Sequence, residues 1–335
     1  MKFKLTLEAN KSATTIHYQD KIMLMGSCFT ENIGAKLHRH LFQVKENPHG
    51  ILFNPTSVIG ALQDYIDNKQ YVATDLFELN DLYNSWHHHT RFSDTTASAT
   101  LEKINNSISD AHIYLKAADK LVITLGSAWL YRLTEAAPND AGLVVANNHK
   151  APAQWFEKIL IDPIELSSKL QKIVSAVQSF NKNIHITFTI SPVRHLREGL
   201  IENNRSKSVL IYAVHDVIAN LKGVEYFPAY EYVIDDLRDY RFYAEDLVHP
   251  NYAATNYVWD KLVSTYFSEN TQLIMAEVAE LQLAKQHKPF NKASIAHQAF
   301  LQKSLVKTQV LQSKYPYLSM TDFISFFSGE LINKV

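Results

Sequence analysis

Three compact apolar runs, each halted by a small or turn-forming residue, constrain this chain more than any other feature of its sequence. Ile22-Met23-Leu24-Met25 stops at Gly26, residues 120–125 stop at Gly126-Ser127, and residues 184–190 stop at Ser191-Pro192. Runs of this length that end at a turn suit buried strands of a parallel sheet. Helical periodicity fills the intervals, at residues 31–41, 58–68, 101–118, 163–180 and 205–221. An edge strand is expected at residues 3–7, a last short strand at 225–228 and a helix at 252–267. The alternation predicts an α/β fold with three layers, α/β/α, around a mainly parallel sheet that presents its chemistry at the carboxyl ends of the strands. From residue 269 the composition turns to Gln, Lys and Ala, with helical periodicity at 273–284 and 293–311. A main domain of residues 1–268 is therefore expected to carry a helical appendage at 269–335, suited to packing or to homo-oligomerisation.

Length and composition narrow the partners. The 335 residues are 46% hydrophobic and 20% charged, ordinary values for a chain with a sizeable core. A formal net charge of −1 gives no global attraction to nucleic acid or to an anionic membrane, so neither is an expected partner. The basic N-terminus lacks a following apolar stretch of signal-peptide length, and no later run reaches about 18 apolar residues, so no membrane span and a cytoplasmic location are expected. The single cysteine, Cys28, excludes an intrachain disulfide and a Cys-rich zinc cage.

Two constellations carry chemistry. A glycine between a buried strand and a helix lets the backbone turn sharply, exposing the next side chains over helix amides that favour an anion. Ser27 and Cys28 stand there, either as nucleophile or, for the lone cysteine, as a small buried apolar group. The second is Asp246-Leu247-Val248-His249-Pro250. A carboxylate three residues before an imidazole on a tight turn can orient one ring nitrogen and leave the other as a general base.

Together these blocks resemble the SGNH/GDSL hydrolases, whose first block is Gly-Asp-Ser and whose last is Asp-x-x-His. Aligned on Gly26, the family's serine falls on Cys28 and its aspartate on Ser27, while Thr30 matches a common family threonine. More closely, the chain is identified as a member of the bacterial GSCFA family, an SGNH-like group, here with Gly26-Ser27-Cys28-Phe29-Thr30. Residues 47–55, 125–129, 145–150, 191–195, 202–207 and 230–251 extend that resemblance over about residues 20–265. It implies the three-layer SGNH-like fold with flavodoxin-like topology. It also implies a Cys/Ser-His-Asp site with Cys28 as nucleophile, His249 as base, Asp246 as its orienter and Ser27 as the alternative nucleophile. The second-block glycine corresponds to Gly50, whose amide would join that of Cys28 in an oxyanion hole. Where the third block supplies asparagine in Gly-x-Asn, this chain has Gly126-Ser127-Ala128, leaving Asn147, Asn148 or His149 as replacements.

Other candidates have plainer alternatives. Trp86-His87-His88-His89 suggests metal ligands, but neighbours on a strand face opposite ways, so no metal is expected, and at most one of these histidines lines the pocket. Arg194, His195, Arg197, Arg205 and Lys207 follow a strand end and would receive a substrate carboxylate or phosphate, or form a surface helix paired with Glu198 and Glu202. Asp235, Asp236, Arg238, Asp239 and Arg241 read as an ion-paired turn before Asp246. The expected function is acyl hydrolysis or acyl transfer on a small-molecule ester, thioester or acylated glycan, without a cofactor and with a thiolate stabilised by the helix N-terminus. The rival expectation is a noncatalytic ligand-binding module that retains the fold.

Overall fold

The computed structural model describes residues 5–8, 11–197 and 199–331. Its strands are β1 (Lys21–Gly26), β2 (Gln43–Glu46), β3 (Phe77–Leu79), β4 (Leu82–Asn84), β5 (Lys120–Leu125), β6 (Trp129–Leu133), β7 (Val144–Val145), β8 (Phe156–Leu160), β9 (His185–Ile190) and β10 (Val224–Phe227). The helices are α1 (Cys28–Arg39), α2 (Pro55–Asp67), α3 (Ala97–Ala117), α4 (Pro163–Phe180), α5 (Leu200–Asn220), the single turn α6 (Ala229–Glu231), α7 (Tyr252–Tyr266), α8 (Glu269–Gln286), α9 (Ile295–Lys314) and α10 (Thr321–Gly329).

Five strands form the central sheet in the order β10-β9-β5-β1-β2, with β1, β5, β9 and β10 parallel. Counted along this sheet, that is the 2-1-3-4-5 order of flavodoxin-like folds, whose crevice opens where the order reverses, beside the first strand. Ile22, Met23, Leu24 and Met25 point alternately to the two faces and are all almost completely buried, so helices cover the sheet on both sides. On one face Met23, Met25, Leu121, Ile123, Ile186 and Phe188 share a core with α2, α3, α4 and α5. Caps fix where these helices begin. Asn54 accepts from the Ser57 amide, Thr96 from Ala99 and Asp162 from Ile164 and Glu165, with proline in the first turn of α2 and α4.

Several elements lie outside the sequence expectations, among them β2 and α10. An antiparallel sheet in the order β7-β6-β8 follows β5 directly, and β3 pairs with β4 as a hairpin. The edge strand expected at residues 3–7 does not form over residues 5–7, and Phe3 and Lys4 lie outside the described residues.

The chain divides into two compact units. Among the described residues, one comprises residues 5–8, 11, 21–34, 44–197 and 199–265, and the other residues 12–20, 35–43 and 266–331. In the second, α8, α9 and α10 are joined by segments from early in the chain. Tyr18 stacks on Phe42 at 4.3 Å, Phe42 meets Phe267 edge-on, and Gln282 donates to the Arg39 carbonyl. Met320, just before α10, and Phe323 and Phe327 within it are buried.

The turn after β1 sets the site. Gly26 has φ +129°, and a Cβ there would stand 2.0 Å from the Thr124 carbonyl oxygen. Gly26→Ala is expected to cost about 2–4 kcal/mol of stability, combining backbone strain with overpacking, read as a lower urea midpoint at unchanged slope.

Candidate active site

The turn is fastened from several sides. The Gly26 amide donates to Asn47 Oδ1 at 2.9 Å, its carbonyl accepts from the Leu52 amide, and the Ser27 amide donates to Thr124 O. Ser27 is thereby sealed inside, its Oγ buried and without a hydrogen-bond partner, whereas Cys28 opens α1 and lines a cleft of about 600 Å³. Phe53, Trp129, Tyr131 and Val145 form apolar walls, and Asn147, Asn148, Lys158, Arg194, His195 and His249 supply polar groups. Its size and mixed lining match small-molecule sites.

His249 enters on a tight loop. Asp246 Oδ1 accepts from the amides of Val248 and His249, Oδ2 accepts from His249 Nδ1 at 2.6 Å, and Leu247 takes φ +57° between them. In a neutral ring, Nδ1 donating to the carboxylate makes Nε2 the acceptor. Those three hydrogen bonds hold the Asp246 carboxyl down at about 2.

The thiol departs from its expected state. Burial pushes Cys28 upward and nearby Glu31 adds to that, outweighing the opposing amides of Cys28 and Phe29 and the Lys207 ammonium. The expected helix-stabilised thiolate is therefore corrected to a resting thiol, because desolvation exceeds what two amides return.

Gly50 does not fit the oxyanion role expected of it. Its amide donates to Asn47 O at 2.7 Å, and Gly50 is absent from the cleft lining among the described residues. His149 is also displaced: its Nε2 meets Ser85 O in a buried aromatic cluster with Phe77 and Trp86. Ser127 does line the cleft, but its Oγ faces Ser206 Oγ and accepts from the Trp129 amide. Asn147 accepts from the His149 amide through Oδ1, which leaves its side-chain NH₂ as a donor in the cleft.

None of His87, His88 and His89 lines the cleft. His88 stacks on His49 at 4.1 Å between ring centroids and bonds Ser85, while His89 caps the following turn. His49 in turn bridges Tyr65 OH and Asp64. The basic stretch is largely committed to structure. Arg205 pairs with Glu202, Arg194 donates to Leu247 O and lies over Tyr243, and Lys207 is buried. Glu198 lies outside the described residues. The expected acidic turn is ion-paired where Asp239 meets Arg241 at 2.9 Å.

Comparison with known proteins agrees with the sequence blocks. The GSCFA family model matches residues 21–262, and the model for the C-terminal domain of GSCFA domain proteins matches residues 278–333. The chain belongs to the GSCFA family. No curated protein matches it. Among solved structures, an acetyl xylan esterase (Est2A) from the rumen bacterium Butyrivibrio proteoclasticus aligns at 9% identity with a TM-score of 0.37. That alignment covers 74% of this GSCFA chain and 63% of the esterase chain. No helix among the described residues is long and apolar enough to cross a membrane.

Burial of several histidines in this GSCFA protein predicts a fold that loses stability in acid. His149 and His195 are lowered to about 4, and His49 and His88 are also lowered, all chiefly by desolvation. Unfolded, these rings bind protons from about pH 6.5 downward, so the unfolded state holds more protons than the native one between about 6.5 and 4. Stability is expected to fall steadily as pH drops through that window, measured by urea midpoints at half-unit steps. A flat midpoint across it contradicts the assignment of buried neutral histidines.

Proposed function

We propose that this GSCFA protein is an acyl hydrolase or acyltransferase of the SGNH type, acting on a small ester or thioester with Cys28 as nucleophile. The observation that carries this reading is the Asp246–His249 couple on the same cleft as the lone thiol. Because the thiol rests protonated, attack needs a base. His249 Nε2 takes the Sγ proton as the sulfur–carbon bond forms at the substrate carbonyl, and Asp246 stabilises the imidazolium. The oxyanion is received by the Cys28 amide at the start of α1, with the Asn147 side-chain amide as second donor. Collapse expels the alcohol or thiol, which takes the proton back from His249. Water, or a second acceptor hydroxyl or thiol, then attacks acyl-Cys28 with His249 again as base, regenerating the thiol.

Apolar walls at Phe53, Trp129 and Tyr131 suit an acylated small molecule, including an acylated glycan whose rings lie against aromatic faces. A second reading, a binding module without turnover, draws support from the Gly50 amide, which is spent on Asn47 O. Its signature is a ligand held and recovered chemically unchanged.

A panel of p-nitrophenyl esters and acyl thioesters separates the two. Cys28→Ala is expected to abolish turnover and His249→Ala to lower kcat/KM by about 10²–10⁴, at unchanged thermal stability. Full turnover by His249→Ala on the best substrate overturns the mechanism. Asn147→Ala is expected to lower kcat by about 10²-fold with little change in KM, since its donor acts on charge that develops in the transition state.

A further inference from the structure

His249 sits on a loop that makes most of its hydrogen bonds to itself. Tyr243 pairs with Pro250 as an antiparallel bridge, the Ala244 amide donates to His249 O at 2.8 Å, and the Leu247 amide donates to Ala244 O at 2.9 Å. Asp246 closes the turn by accepting from the amides of Val248 and His249. Among the described residues, two hydrogen bonds tie residues 243–249 to a distant part of the chain, and Arg194 makes both. Its amide donates to Val248 O and its Nη1 to Leu247 O, each at 3.2 Å. The guanidinium carbon also lies 3.9 Å from the centre of the Tyr243 ring and 5.0 Å from that of Tyr240.

We propose that Arg194 is a positioning residue for His249: it clamps the loop carrying the Asp246–His249 couple to the segment after β9 and so holds the imidazole on the cleft that Cys28 lines. This rests on His249 being the base of the reaction proposed above.

The loop needs an external tie. Leu247 holds φ +57°, a conformation that a residue with a side chain keeps only where its surroundings over-determine it. The side chains of Asp246 and His249 are about half exposed, so burial does little to fix them. The anchor is firm by contrast. Ser191 and Val193 are buried, and the Ser191 amide donates to Leu125 O at 2.9 Å, which fastens this segment to the end of β5. A planar guanidinium can donate to a carbonyl at its edge while its face lies on an aromatic ring, whereas an ammonium is a point charge without such a face. Receipt of a substrate anion, the role expected of Arg194 from sequence, makes a different prediction: it governs the affinity for anionic esters and leaves neutral ones alone.

Hydrogen exchange of the full chain, followed by mass spectrometry on the peptide spanning residues 243–250, tests the clamp without a substrate. Arg194→Ala keeps the main-chain bond to Val248 and removes the guanidinium. It is expected to speed exchange in that peptide about tenfold, with peptides from β1 and α1 unchanged. Unaltered exchange in the loop overturns the proposal. Should Arg194→Ala fail to fold, Arg194→Lys is expected to raise loop exchange by a smaller factor, about threefold, and exchange at the wild-type rate overturns the proposal there.

Turnover separates positioning from binding. On neutral p-nitrophenyl acetate, Arg194→Ala is expected to lower kcat by about ten- to a hundredfold with KM nearly unchanged, and to add nothing to the loss caused by His249→Ala, because residues that act through one imidazole are not additive. A rise in KM confined to esters bearing a carboxylate, with kcat on the neutral ester intact, assigns Arg194 to the substrate and overturns the proposal, as does full additivity with His249→Ala. Full turnover by His249→Ala removes the base, and with it anything for Arg194 to position. Unaltered loop exchange alongside His249-dependent turnover removes the role of Arg194 alone.

Discussion

Everything at the cleft hangs on the way β1 ends. Gly26 takes a backbone conformation that side chains resist, and Asn47 Oδ1, the Leu52 amide and the Thr124 carbonyl hold it and Ser27 there. One residue later the chain is already helical, so Cys28 is presented at the start of α1 while Ser27 is turned inward. Asn47 itself is buried and sits in the loop after β2, so the loop that frames the cleft is built from the same hydrogen bonds that close the strand. Phe53 O adds a further tie by accepting from the Gly126 and Ser127 amides, which draws the end of β5 to that loop. The turn, the loop and the neighbouring strand end thus form one polar assembly at the switch point of the sheet.

That assembly was partly legible in the sequence. Apolar runs stopped by small residues marked β1, β5 and β9 closely, because a buried strand of a parallel sheet leaves little room for polar side chains. The Asp246 to His249 spacing read correctly as a tight turn because a local hydrogen bond needs no distant partner. Gly50 misled, since a positive φ and a matching block position say nothing of where the amide points, and Asn47 O claims it. The strands β6, β7 and β8 were missed because they are two to five residues long and make their pairings only with each other. They nonetheless carry Trp129, Tyr131 and Lys158, a whole wall of the cleft.

Lys207 was placed by the sequence in a basic stretch facing solvent or substrate, whereas it is buried. Read as one member of a basic cluster, it suggests a surface that receives anions. Read by helical period, Asn203, Ser206, Lys207, Leu210, Val214 and Val217 share the buried face of α5, and its first turns bury polar side chains that each find a specific partner. Asn203 accepts from the His195 amide, Ser206 from the Ala128 amide, and Lys207 donates to two carbonyls. Periodicity identifies such a face, whereas only the fold shows that it lies beneath strand ends.

The resulting electrostatic design is a dry floor beneath a wetter rim. Burial keeps the thiol protonated and His195 neutral, while Asp246 and His249 remain half exposed on their loop. The central claim is that Cys28 becomes covalently acylated, and rapid-quench intact mass with a slowly turned-over acyl thioester tests it most directly. The account predicts a mass gain of one acyl group, mapped to the peptide containing Cys28 and absent from Cys28→Ser. Turnover with no mass gain at the earliest quench times, or a gain that persists in Cys28→Ser, contradicts it.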